Sequence, residues 1–193
     1  KWREALQNLK TSLTGHVSPD DLILLFLAGH GVVDPKTERY YFVGYDLQVA
    51  DYLEGRYANC ISWEDFRALS DIPCRKLVVL DTCHSGALQP LSARNLKAAV
   101  RALQEDVFLS LTASAGNEKS EEDEQWGHGA FTKSLLEALD GRADTSGDGL
   151  VTLREVVAYA QQAVPKLTEG RQNPTAAPDE LLPLISVPLA RGR

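Results

Sequence analysis

The chain has 193 residues, 44% hydrophobic and 24% charged, with a net charge of −7. That is the balance of one soluble globular domain; the acidic charge argues against nucleic-acid binding through bulk electrostatics, and no apolar run approaches the ~20 residues of a membrane helix. Three cysteines at 60, 74 and 83 give neither a disulfide framework nor a metal spacing, there is no signal-peptide pattern, and a reducing cytoplasm fits.

Trp2 to Leu13 carries apolar residues at 2, 5, 6, 9 and 13, which is helical spacing, and Gly15 closes it. Ser18-Pro19-Asp20 is a turn into the strand Leu22-Ile23-Leu24-Leu25-Phe26-Leu27, which ends at Gly29-His30-Gly31. Val32 to Arg39 reads as a polar loop. Tyr40 to Asp46 reads as a strand, an edge hairpin over the site, and residues 47–59 as loop. Ile61 to Leu69 starts a helix, with Ser62 as N-cap and Asp65 in the capping-box position. A short β-branched run, Leu77-Val78-Val79-Leu80, then breaks into Asp81-Thr82-Cys83-His84-Ser85-Gly86 and reads as a buried parallel strand.

Residues 87–106 form a linker with helical spacing at Leu96, Ala99, Val100 and Leu103. Val107 to Thr112 is the next strand. Gly116 to Gly127 is strongly acidic and reads as a mobile surface loop, or as a wall of the substrate entrance. Helices follow over Phe131–Leu139 and Val151–Val164, then a turn-rich loop over Gln172–Asp179. Leu181 to Val187 reads as a last strand, with Pro183 and Pro188 limiting its pairing.

Function in open α/β sheets sits beyond the carboxyl ends of the strands. Two neighbouring parallel strands of this kind would bring His30 and Cys83 to one edge. A thiol titrates near ~8.5 and attacks as the thiolate, so it needs a base. An imidazole takes the proton and later returns it to the leaving amine. Gly31 lets backbone approach the substrate, and the N–H groups of Gly31 and Cys83 are candidates for an oxyanion hole. The other reading of Cys83 is a buried structural thiol, which is also the reading for Cys60 and Cys74. His84 is read as support for the turn, and His16 and His128 as surface residues.

His30-Gly31 after one strand, and Asp81-Thr82-Cys83-His84-Ser85-Gly86 after the next, resemble the caspase–metacaspase clan of cysteine peptidases, in its metacaspase-like bacterial form. Leu109 to Ala115 and Gly129-Ala130-Phe131-Thr132 resemble its small-subunit half. The resemblance runs from about Asp20 to Ile185. It implies an α/β fold: a mostly parallel sheet with helices on both faces. The chain then reads as one peptidase domain over 1–193. Residues 1–86 carry the histidine and cysteine strands, 87–106 the linker and 107–193 the small-subunit-like half. The family's first strands do not precede Trp2, so the histidine strand is expected to have an exposed edge, with the absent segment or further domains as partners.

The resemblance further implies a Cys83–His30 endopeptidase acting on protein or peptide substrates, with no cofactor required. Asp81, two positions before the cysteine, is on the same side of the strand end. In metacaspase-like enzymes an aspartate there helps bind arginine or lysine on the acyl side of the cut bond, so cleavage after a basic residue is expected. The alternative is a carboxylate that caps the N–H groups of the turn. Ala28 departs from the family, which often has serine two residues before the histidine. Arg94, Lys97 and Arg101 in the linker are candidates for self-processing of a zymogen.

Asp144 to Glu155 fits a twelve-residue calcium loop. Asp144, Ser146 and Asp148 stand at positions one, three and five, Gly149 at six, the Leu150 carbonyl at seven and Glu155 at twelve. Ca2+ would brace this half and take no part in the chemistry. The plain alternative is a polar turn with Thr152 capping the next helix. Two other classes of function are a non-catalytic caspase-like interaction module and a calcium-regulated switch domain.

Overall fold

The structure is a computed structural model and describes residues 2–34, 36, 37, 39–83, 108–114, 118, 120–123, 126–177 and 187–191. A six-stranded sheet has the order β3-β2-β1-β4-β5-β7. Its members are β1 (Leu22–Val33), β2 (Tyr40–Phe42), β3 (Ile61–Ser62), β4 (Arg75–Cys83), β5 (Phe108–Thr112) and β7 (Thr175–Ala177). The centre, β1-β4-β5, is parallel, and the β1-β2, β2-β3 and β5-β7 pairs at the flanks are antiparallel. A separate ribbon pairs β6 (Leu150–Thr152) with β8 (Pro188–Arg191). The helices are α1 (Trp2–Leu13), α2 (Val49–Leu53), α3 (Trp63–Arg67), α4 (Ala130–Glu137) and α5 (Leu153–Leu167), with a kinked turn over Ala138–Arg142 after α4, where Gly141 has φ +101°.

The strand period of two divides the apolar residues of β4 between two cores. Val78 and Leu80 pack with Leu6 of α1, Phe66 of α3 and Ile23 and Leu27 of β1. Leu77 and Val79 pack with Leu109 and Leu111 of β5, Phe131 and Leu135 of α4, and Val156, Ala160 and Val164 of α5. Helices therefore cover both faces, which is why β4 reads as a continuous apolar run. Ser62 and Asp65 close the expected capping box at the start of α3.

Several elements differ from the sequence reading. The histidine strand does not stop at Gly31; it continues to Val33, because Val32 and Val33 pair with Tyr41 and Tyr40 in a hairpin and Val32 is fully buried. The Tyr40–Asp46 strand is only three residues long, and it is no edge, since β3 pairs on its far side. The strand gives way to a turn at Gly44, where a Cβ would stand 2.5 Å from the Asn59 carbonyl oxygen. The 47–59 stretch holds α2, and the loop after Gln172 holds β7, which closes the sheet against β5. α5 begins at Leu153 and runs through Pro165 to Leu167. The last strand lies at Pro188–Arg191, with Pro188 as its first residue, where a missing N–H is tolerated. Residues 181–186 and the 87–106 linker lie outside the described residues.

On the side of β1 away from β4, only Gly31 to Val33 pair with a strand among the described residues. Leu22 to Gly29 leave that edge open, and Leu24 and Phe26 are 46% and 45% exposed beside it.

Candidate active site

β1 and β4 run parallel in unbroken register from Leu22 opposite Arg75 to His30 opposite Cys83. The last rung joins the two residues that the motifs single out. Adjacent strands lie ~4.8 Å apart, so the two backbones bring these residues side by side at the carboxyl edge. His30 is exposed, and its carbonyl oxygen accepts the Val43 N–H at 2.8 Å, which ties it to the hairpin. Gly29 just before it has φ +149°, and a Cβ there would meet the Phe42 ring at 3.1 Å. Only glycine allows both that backbone angle and that close packing of Phe42 against β1. Gly31 lies inside the extended strand, opposite Phe42.

Asp81 sits one strand period before Cys83 and is 4% exposed. Its Oδ2 accepts the hydroxyl of Thr132, in the first turn of α4, at 2.5 Å. Its Oδ1 is buried without a hydrogen-bond partner among the described residues. Burial pushes the Asp81 carboxyl above the ordinary carboxylate range; the Thr132 hydroxyl and N–H and, less strongly, the Ser120 hydroxyl oppose this, and the nearby Glu122 carboxylate adds to it. An orphaned buried carboxylate oxygen costs free energy until a donor reaches it. A cationic side chain is a donor that supplies both hydrogen bond and counter-charge.

The described part of the acidic segment is pinned beside Asp81 rather than loose. Ser120 Oγ donates to the Thr82 carbonyl at 3.0 Å, directly beside Asp81 in β4. The Glu121 carbonyl accepts the Ala130 N–H at 2.9 Å and so satisfies the first turn of α4, and Glu122 forms a β-bridge with Gly129. Fully buried Gln172 accepts the Glu121 N–H at 2.9 Å and donates Nε2 to the Ala113 carbonyl at 2.9 Å. Asn173 donates through both its N–H and Nδ2 to the Glu118 carboxylate. Glu118 and Glu121 of this segment are thus bonded by polar side chains some fifty residues further on. Thr132, Glu122 and Gln172 had no local signal for such roles.

In the Asp144–Glu155 loop the carboxylates are engaged by the loop's own N–H groups. Asp144 accepts from the N–H of Gly147 at 2.8 Å and of Gly149 at 3.0 Å, and Asp148 from that of Leu150 at 2.8 Å. Glu155 receives Thr152 N–H and hydroxyl on Oε2, and the N–H groups of Thr145 and Ser146 on Oε1. Those donors, Thr152 first, lower its pKa to about 2. Thr152 returns the bond through its hydroxyl and caps α5. Ser146 is turned to Asp144, and Leu150 starts β6. Among the described residues no group of three or more His, Cys, Asp or Glu is placed to hold a metal ion. As it stands, the loop is braced by hydrogen bonds between its carboxylates and its own N–H groups.

Cys60 is buried with Val32 and Tyr57, and burial raises its thiol pKa; Cys74 packs at the margin of the α1–α3 core. Cys60 fits the buried thiol expected, whereas Cys74 is only partly buried. His16 and His128 are exposed, and His84, Arg94, Lys97 and Arg101 lie outside the described residues. No helix among the described residues is long and apolar enough to cross a membrane.

Comparison with known proteins agrees with this architecture. A family model described as the caspase domain matches residues 2–182. No curated protein gives a significant match. A family match over nearly the whole length, on an α/β sheet with a parallel centre, settles the family: the chain belongs to the caspase-domain family of cysteine peptidases.

Proposed function

We propose that the chain is a metacaspase-like endopeptidase that cuts protein substrates after arginine or lysine. The observation that carries this reading is the last rung of the β1–β4 ladder, His30 opposite Cys83, with buried Asp81 one strand period back. In this mechanism His30 takes the thiol proton and Cys83 attacks the carbonyl carbon. Backbone N–H groups of Gly31 and Cys83 stabilise the oxyanion. The C–N bond breaks as His30 protonates the leaving amine. A water molecule, deprotonated by His30, then resolves the thioester and restores the thiol. Asp81 selects the basic side chain on the acyl side, because its free oxygen lacks a donor.

Self-processing in the 87–106 segment, after Arg94, Lys97 or Arg101, is the activation route this specificity suggests. Fluorogenic peptides ending in Arg, Lys or Asp, with a Cys83→Ala control, test the reading. Cys83-dependent release after Arg or Lys supports it. Release after Asp keeps a cysteine peptidase but removes the role of Asp81. Absence of any Cys83-dependent release, in intact and in processed protein, favours the interaction-module reading.

A further inference from the structure

Two oxygens of Asp81 have opposite fates. Oδ2 is held by Thr132 Oγ1 at 2.5 Å, and a Cβ on Gly129 would stand 3.5 Å from it, so protein closes round this oxygen on the side of α4. Oδ1 is buried and has no partner among the described residues. Thr132 comes from the chain's second half, and its helix start is fixed by the Ala130 N–H bond to Glu121. The hydroxyl therefore sets the rotation of a carboxylate that lies on a different element, fifty-one residues earlier.

We propose that Thr132 is a positioning residue for specificity: by occupying Asp81 Oδ2 it leaves Oδ1 as the one oxygen offered to the substrate's basic side chain. The inference rests on the function proposed above. It has a consequence that a simple tie between α4 and β4 lacks. A guanidinium gains over an ammonium at a carboxylate by forking across both oxygens. With one oxygen engaged, the fork is denied, and arginine and lysine are recognised nearly alike. Removing the hydroxyl releases the carboxylate's rotation, so that Oδ2 can turn toward the substrate and restore the fork.

The experiment compares kcat/KM for matched peptides ending in Arg and in Lys, for wild type, Thr132→Val, Thr132→Ala and Thr132→Ser. The expected Arg-to-Lys ratio is within ~3-fold for wild type and Thr132→Ser, and ~5-fold or more further toward Arg in the valine and alanine variants. Melting temperature identifies any variant that fails to fold, and the alanine variant decides the matter if the valine one does. A ratio unchanged in folded variants, or equal losses on both peptides, overturns the inference and leaves Thr132 as a packing contact. Absence of Cys83-dependent cleavage of either peptide by wild type instead overturns the underlying function, so the two failures are distinct.

Discussion

His30 and Cys83 are Cα partners in the last rung of the parallel ladder between β1 and β4, while Ala28 and Asp81 are partners one strand period earlier. A register slip of one residue would move His30 opposite Thr82 and invert every side chain of β1 relative to its cores. Leu27 on one face and the Val78–Leu80 pair it packs with hold that register through burial. The backbone register that places His30 opposite Cys83 is therefore held by the hydrophobic cores.

His30 is exposed, which separates its chemistry from stability. His30→Ala is expected to cut kcat/KM by at least ~100-fold, the usual scale for a lost general base. Its melting temperature should stay within ~2 °C of wild type, as for surface substitutions. Peptidase assays paired with thermal melts check this; activity within tenfold of wild type would remove His30 from the mechanism.

Asp81 should cost the fold stability at neutral pH. Burial raises its folded pKa above the unfolded value. Its ionised form is therefore penalised in the native state, and stability falls as pH rises from the ordinary carboxylate range through that raised value. Asp81→Asn removes the charge, so its melting curve should match wild type in acid and lie above it at neutral pH. Cleavage after basic residues should fall by ~10-fold or more, since a paired charge is lost. Melts from pH 3 to 8 check the sign, and a wild type that is the more stable at neutral pH refutes it.

Glu155 has the opposite sign. Its pKa is lowered from 4.5 to about 2 by the donors it accepts, so its contribution is full above pH 4.5 and is lost as pH falls toward 2. Glu155→Gln should melt lower at neutral pH and lose that part of the acid sensitivity. With the loop's carboxylates engaged by its own N–H groups, adding calcium or a chelator should leave the wild-type melting temperature unchanged. A calcium-dependent rise that Asp144→Ala abolishes would show that the loop opens to take the ion.

Gln172 is fully buried and bonds both the acidic segment and the end of β5. Gln172→Ala leaves the Ala113 carbonyl and Glu121 N–H unpaired, at about 1–3 kcal/mol, and each kcal/mol lowers the melting point by ~2–4 °C in a domain of this size. The 118–127 segment should also become more susceptible to a glutamate-specific protease. Equal digestion of the two proteins would show that the segment is held by other bonds.

Much of this molecule was legible along the chain because its signals are local. The apolar runs that became β1 and β4, the Ser62–Asp65 and Thr152–Glu155 caps and the amphipathic spacing of α1 each depend on residues within a turn or a strand period. The motifs at His30 and Cys83 stand out along the chain because each follows directly on one of these apolar runs. Local reading failed where a strand depends on its partner: Val32 and Val33 extended β1 by pairing with Tyr41 and Tyr40 in a hairpin, and Thr175–Ala177 became a strand only against β5.

By itself, then, the sequence determined the family, the two strand-end motifs and a carboxylate two positions before the cysteine. Tertiary structure alone decided which oxygen of that carboxylate lacks a partner among the described residues, that Thr132 holds the other, and that Glu121 and Glu118 are bonded by Gln172 and Asn173. The physical reason is range. Periodicity and capping act over a few residues and leave a pattern in the chain. A buried polar group instead takes whatever donor the packing brings, here from fifty or more residues away, and no spacing rule connects the two.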